Sequence, residues 1–248
     1  MGYNLTLNIE ELTSNVLTLN IFALDVSGSM DGQKTLSVRE VLKVIKNDML
    51  KLEDTSSTKI AIIEFGSRVS LGQFQSIEDF DTSYYAHGGC TAMYDAICEA
   101  ARQVKQLMEN YRKKCRLNIN VIVLSDGADN ESDSTESDAR SAVRQMRENG
   151  AATIFYAIEE PGSMDRLTTF ARELGFDVKR VENSERAMQE FSRQVSTMLT
   201  TSSRTGQTAK LGSALDATLS QVAAKEFGES LEQAETKIVD PFADIFEE

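Results

Sequence analysis

The chain has 248 residues, of which 41% are hydrophobic and 26% charged, with a formal net charge of −13. That length supplies one sizeable core, or a core with a tail. The acidic balance sets the surface against nucleic acid and anionic membrane, so neither is expected as a partner.

In chain order, Tyr3 to Ile9 alternates apolar and polar residues, the pattern of a half-buried strand. The first six residues also fit the loose N-myristoylation pattern, but the alternation is the better account of them. No basic stretch followed by an apolar one marks a signal peptide, and no apolar run approaches membrane-spanning length. A cytoplasmic protein is therefore expected, unless a dedicated secretion route carries it.

Val16 to Leu24 is rich in apolar and β-branched residues and reads as a central strand buried on both faces. It ends on Asp25-Val26-Ser27-Gly28-Ser29-Met30, an acid and two hydroxyls at alternate positions. In an α/β sheet, ligands bind just beyond the C-terminal ends of parallel strands. These side chains offer only oxygen, which suits a hard cation. Asp and Ser after a strand also serve as ordinary caps and turns, and both accounts stand for this stretch taken alone.

A helix follows over 35–52, with Leu36, Val41, Leu42, Ile45, Met49 and Leu52 forming one apolar stripe. Lys59 to Phe65 is the next strand. The short Gly66-Ser67-Arg68 connection to Val69–Phe74 favours a hairpin, hence an antiparallel strand at the edge of a mostly parallel sheet. Residues 76–87 read as an irregular crossing. His87 is the single histidine, expected as a loop residue near the site because no spaced partner accompanies it.

Gly88-Gly89-Cys90-Thr91 then opens a strongly helical run to about Tyr111. Thr91 sits at the helix start, where its hydroxyl serves either a ligand or the helix as an N-cap. Arg112-Lys113-Lys114 suits a helix C-terminus. The three cysteines, Cys90, Cys98 and Cys115, fit no metal spacing and read as reduced thiols. A helix N-terminus can lower the pKa of a thiol such as Cys90, although a small loop residue is the plainer role.

Asn118 to Leu124 is a further parallel strand, ending in Ser125-Asp126-Gly127. If it neighbours the first, Asp126 lies beside Asp25, and two such carboxylates repel unless a cation, a proton or a donor lies between them. An acidic Ser-rich loop precedes a helix through Ala139, Val143 and Met146, closed by Gly150. A strand (152–158), a helix (164–174), a short strand (176–181) and a helix striped by Ala187, Phe191, Val195 and Met198 complete the alternation. The expected fold is α/β: a doubly wound, mostly parallel central sheet with one antiparallel edge strand and helices on both faces.

The domain is expected over 1–200, followed by a flexible linker and acidic tail over 201–248. A short amphipathic helix is suggested by Leu211, Leu215, Leu219 and Val222. Residues 202–248 hold nine acids and four bases. Phe242, Ile245 and Phe246 stand among the terminal acids, which suits docking in a partner's groove as well as a solvating tail.

Asp25-x-Ser27-x-Ser29, Thr91 and Asp126, set in DVSGSM, GGCTAMYDAI and LSDGADN, resemble the metal-ion-dependent adhesion site of von Willebrand factor A domains. The resemblance covers roughly residues 10–200, in the family's order, and is to its intracellular bacterial type. It implies that Ser27, Ser29 and Thr91 give hydroxyl ligands to Mg2+ (or Mn2+), while Asp25 and Asp126 act directly or through water. It further implies a coordination position left for an Asp or Glu of a partner protein. Such members often work beside an ATPase, kinase, phosphatase or chaperone. Gly28 would allow the turn, and Met30 to Gln33 would rim the site.

The expected function is therefore a metal-dependent protein–protein interaction module, acting as scaffold or adaptor, and not an enzyme. Two alternatives stand beside it. One is a structural or assembly subunit whose metal site is not used for binding. The other is a phosphate-processing enzyme, against which stands the lack of a phosphate-cradling Gly-rich loop, of a Ser/His/acid triad and of an Asp-x-Asp pair. A variant of the first expectation has the acidic tail supply the missing carboxylate from Asp240, Asp244 or Glu247.

Overall fold

The computed structural model of the protein describes residues 15–207, apart from residue 53 and residues 160–165. The chain divides into two units, Met1–Ala209 and Lys210–Glu248, and all described residues belong to the first. The expected strand at 3–9 and the features expected beyond residue 207 lie outside the described residues.

The elements run β1 (Val16–Asp25), α1 (Gln33–Met49), β2 (Thr58–Phe65), β3 (Val69–Leu71), β4 (Gln75–Ser76), α2 (Met93–Tyr111), β5 (Arg116–Ser125), α3 (Glu136–Glu148), β6 (Ala152–Glu159), α4 (Arg166–Leu174), β7 (Asp177–Glu182) and α5 (Glu185–Thr205). Among the described residues one sheet holds all seven strands in the order β3-β2-β1-β5-β6-β7, with β4 also on β2. Strands β2, β1, β5, β6 and β7 pair in parallel, whereas β3 and β4 are antiparallel to β2. The expected antiparallel edge is thus present, built from two short strands: β3 covers Ile63–Phe65 and β4 covers Lys59–Ile60. Splitting the cover leaves only short lengths of exposed strand edge on that side.

Strand β1 occupies the middle of the sheet because both of its faces are buried. Leu17, Leu19, Ile21 and Ala23 point into a core with residues of α2, α3 and α4. Helix α2 buries Met93, Ala96, Ile97, Ala100, Ala101, Val104 and Leu107, the three-and-four spacing of one helical face. Its alanines let the helix lie close against the sheet. On the opposite face α1 packs against α5. Helix α1 buries Val38, Val41, Leu42, Ile45 and Met49. Leu36, which the sequence placed on that stripe, is 52% exposed. It precedes Val38 by two residues, about 200° around a helix, and so faces away.

The α5 face of β1 departs from a purely apolar strand. Thr18 and Asn20 are buried there, beside Asn118 and Asn120 of β5. Asn118 Nδ2 donates to Ser202 Oγ at 2.6 Å, and Asn120 Nδ2 donates to Asn20 Oδ1 at 2.8 Å and to Ser202 Oγ at 3.1 Å. Helix α5 therefore continues through the Thr/Ser-rich stretch that the sequence assigned to a linker after Thr200. It ends at Gly206, whose φ of 59° is left-handed and whose missing Cβ leaves room for Val16 Cγ1. Composition suggested a linker because Ser and Thr favour turns; the buried asparagines give the Ser202 hydroxyl partners inside the fold, and Thr58 Oγ1 donates to Ser203 Oγ at 3.1 Å.

Candidate metal centre

The β1–β5 register pairs Leu24 with Leu124, which sets Asp25 opposite Ser125 and carries Asp126 one residue past the sheet. The two acids therefore meet at adjacent strand ends, as the sequence required. Asp25 is fully buried and Ser27 is buried, while Ser29 is exposed at the mouth.

Each Asp25 oxygen has a donor. The Ser27 N–H gives a bond to Oδ1 at 2.9 Å, and the Ser125 hydroxyl donates to Oδ2 at 2.5 Å. The Tyr84 hydroxyl, also buried, donates to the Asp25 carbonyl. Burial pushes the Asp25 carboxyl above its usual range; the Ser125 and Ser27 bonds oppose this, and the charge of Asp126 adds to it. The same burial, with the Asp25 charge, raises the Tyr84 phenol, so that it stays a neutral donor.

After Asp25 the chain makes a single 3-10 turn over Gly28–Met30. Ser29 Oγ donates to Asp126 Oδ1 at 2.6 Å, joining the ends of β1 and β5. Ser27 Oγ lies 3.1 Å from Ser29 Oγ. The Ser29 proton is already given to Asp126, so Ser27 is the donor in that pair. The hydroxyl protons thus run from Ser27 to Ser29 to Asp126.

Thr91 enters by another route. The N-cap of α2 is Ala92, and the free amides of its first turn go to the loop after β5, Tyr94 N–H donating to Asp129 Oδ1 at 3.0 Å and Asp95 N–H to Ser132 Oγ at 3.1 Å, so Thr91 does not serve as the cap. Thr91 is 4% exposed, and its backbone is clamped to one residue: its N–H donates to Asn130 Oδ1 at 2.7 Å, and its carbonyl accepts from Asn130 N–H at 3.0 Å. Both bonds leave the hydroxyl uncommitted. The loop before it is pressed onto the β1 turn, with Gly28 N–H donating to Gly89 O at 3.3 Å and His87 N–H to Val26 O at 2.8 Å. Gly89 has φ 85°, and a Cβ there would stand 2.5 Å from Ser67 Oγ. Only glycine meets both conditions. Asp25, Ser27, Ser29 and Asp126 are therefore one hydrogen-bonded set, and the loop that carries Thr91 is bonded through backbone to the turn after Asp25.

Like Tyr84, Ser125 and Lys34 were not singled out in the sequence. Ser125 precedes Asp126, and its place opposite Asp25 follows only from the β1–β5 register. Lys34, one residue beyond the expected rim, puts its ammonium 2.5 Å from Asp126 Oδ2 and 3.3 Å from the Ser29 carbonyl oxygen. His87 is an exposed loop residue beside the site. Cys90 lies in the loop before α2, as the plainer reading had it, and a hydrogen bond with Glu131, then that residue's charge, push its thiol pKa up, opposite to the helix-terminus effect. On the α1 side of the rim, Arg39 stacks 4.0 Å over the Tyr85 ring and bonds the Tyr84 carbonyl at 2.6 Å. Tyr85 is 55% exposed.

The donor set suits a hard divalent cation. It comprises two carboxylates and three hydroxyls, with no nitrogen or sulfur among them. A positive group already stands against it, the ammonium of Lys34 on the Asp126 carboxylate. No cluster of three or more His, Cys, Asp or Glu forms an alternative metal site among the described residues.

Comparison with known proteins agrees with this architecture. The von Willebrand factor type A domain matches residues 21–194. Among solved structures, the pilus adhesin SpaC from Lactobacillus rhamnosus GG superposes with a TM-score of 0.59 at 11% identity, over 75% of this chain and 31% of its own. A von Willebrand factor type A protein from Catenulispora acidiphila superposes with a TM-score of 0.55 at 20% identity, over 75% of this chain and 43% of its own. The chain thus spans less than half the length of either. No curated protein matches it.

Proposed function

The chain belongs to the von Willebrand factor type A domain family, and on that premise we propose that it is a protein-interaction module whose interface is completed by a divalent cation. Domains of this family mediate protein–protein interactions. The cation is Mg2+ or Mn2+, and Asp25, Ser27, Ser29, Thr91 and Asp126 hold it. When bound, it supplies a Lewis-acid centre that attracts a carboxylate from a partner protein.

The observation that carries this reading is the Ser29–Asp126 bond, which joins two strand ends 97 residues apart around a buried second acid. The chain's own residues then divide the work. Ser125 and the Ser27 amide fix the Asp25 carboxylate. Asn130 fixes the Thr91 backbone without using its hydroxyl, which supports Thr91 as a ligand. Ser29, exposed at the mouth, is the ligand nearest to solvent and to an arriving partner. Two protein carboxylates nearly cancel a divalent charge when both bind directly. Holding one behind water keeps the cation electrophilic enough for a third.

A binding role without turnover, in the cytoplasm, belongs to the same proposal. Among the described residues no helix is long and apolar enough to cross a membrane. The test is capture of interacting protein by the full chain in Mg2+ and in EDTA, with Ser27→Ala/Ser29→Ala beside it. Retention only with metal and intact serines is the expected result. Retention indifferent to both refutes the metal-completed interface, and turnover of phosphate esters refutes the non-catalytic role.

A further inference from the structure

Helix α1 begins badly for a helix. Its N-cap is Gly32, which has no side chain to cap it, the first turn carries no acid, and the acid just before the helix, Asp31, has one carboxylate oxygen on the Gly32 N–H at 2.7 Å. Instead the second helical residue is Lys34, a cation at the positive end of the helix dipole, where cations are disfavoured. Its side chain is only 17% exposed, so water does little to relieve this. What balances Lys34 is the cluster of oxygens at the ends of β1 and β5. The ammonium lies 2.5 Å from Asp126 Oδ2 and 3.3 Å from the carbonyl oxygen of Ser29. The Asp126 side chain is 2% exposed, and its other oxygen accepts the Ser29 hydroxyl proton at 2.6 Å.

We propose that Lys34 is a built-in counter-ion of the metal centre, whose ammonium neutralises the site when the cation is absent and is displaced from Asp126 when a divalent cation binds. This rests on the metal reading above and adds a competitor to it. The argument is electrostatic and geometric. Asp126 is proposed as a metal ligand, and its Oδ2 is already held by a positive group at contact distance. A divalent ion served by that carboxylate stands within a few ångströms of the ammonium, and like charges that close repel strongly in a partly dry site. The same contact explains how Asp25 and Asp126 tolerate each other without metal, because one of the two has a cation of its own. The apparent affinity for metal is then lowered by the fraction of protein in which the ammonium occupies Asp126, as for any site whose competent state is partly populated. Once displaced, Lys34 stands at the mouth beside Ser29, so metal binding also changes the charge that an acidic partner meets.

The experiment uses the full chain and Mn2+ alone. Free Mn2+ is read by electron paramagnetic resonance during titration of wild type, Lys34→Met and Lys34→Arg. Lys34→Met is expected to bind Mn2+ about tenfold tighter or more, with Lys34→Arg near wild type because the charge is kept. Equal or weaker binding by Lys34→Met overturns the inference while leaving the metal site intact. No uptake of Mn2+ by wild type or by either variant overturns the metal reading itself. A second measurement needs no variant: wild type is labelled with an amine-reactive reagent with and without saturating Mn2+, and Lys34 is followed by peptide mass. Its labelling is expected to rise severalfold with metal, while Lys43, at an exposed position of the same helix, stays constant. An unchanged Lys34 rate in protein shown to hold Mn2+ overturns the displacement.

Discussion

Ser125 Oγ donates to Asp25 Oδ2 at 2.5 Å, between residues 100 apart in the chain and directly opposite each other across two parallel strands. The bond fixes the plane of a buried carboxylate from the neighbouring strand, without requiring Ser125 to touch a ligand. The Ser125 oxygen also accepts the Gly127 N–H at 3.2 Å, so the same hydroxyl shapes the turn that carries Asp126.

Ser125→Ala is therefore expected to leave the fold intact and to weaken Mn2+ binding. Residues that orient metal ligands typically change affinity about 10- to 100-fold when removed. Calorimetric titration with Mn2+ checks this. An affinity equal to wild type would show that the Ser27 amide alone holds Asp25.

Gly89→Ala is expected to lower stability by about 1–3 kcal/mol, because a left-handed backbone is imposed on a residue with a Cβ. The added carbon also meets Ser67 Oγ, which accepts the Cys90 N–H at 3.0 Å. Urea denaturation reads the loss. Since this loop carries Thr91, the variant should also bind Mn2+ more weakly than its folded fraction accounts for.

Ser202→Ala tests the buried asparagine network. Ser202 Oγ takes bonds from both Asn118 and Asn120, and removing it leaves buried amide protons without that acceptor. Asn118 keeps the Thr18 hydroxyl and the Ser202 carbonyl as acceptors, so the loss falls mainly on the second Asn120 proton and is worth about 1–3 kcal/mol. The midpoint of chemical denaturation should fall accordingly, whereas Thr201→Ala, at an exposed position of the same helix, should change it little.

Asp48 links α1 to α5, accepting from Ser196 Oγ at 2.7 Å and from Lys51 Nζ at 2.5 Å. The Lys51 bond first, and then the Ser196 bond, hold its carboxyl below the ordinary value of 3.8. A depressed folded value means the stabilisation is fully present above 3.8 and is lost as pH falls through the lower folded value. Wild type should thus exceed Asp48→Asn in thermal stability at neutral pH, by a modest margin because the pair is partly solvated. The margin should close on acidification below the ordinary carboxylate range. A margin that is constant with pH would assign the effect to packing.

The site was more legible in the sequence than the fold around its edges. Asp25, Ser27, Ser29 and Asp126 were visible because each follows an apolar run whose end must reach the same rim of a parallel sheet. Lys34 and Ser125 were not, because nothing local distinguishes a lysine in a helix or a serine at a strand end from a solvated residue. The second antiparallel segment, β4, has only two residues, too few for any period to show.

By itself the sequence determined the alternation of strand and helix, the mostly parallel sheet and the oxygen character of the site, because hydrophobic period and residue type are local properties. Tertiary structure decided which residues meet. It set Ser125 against Asp25 through register, put an ammonium on Asp126, freed Thr91 from capping α2, and carried α5 through a Ser/Thr stretch by burying partners for its hydroxyls. These outcomes depend on pairing between distant segments, and on the need of buried polar groups for partners, neither of which is written in any one stretch of the chain.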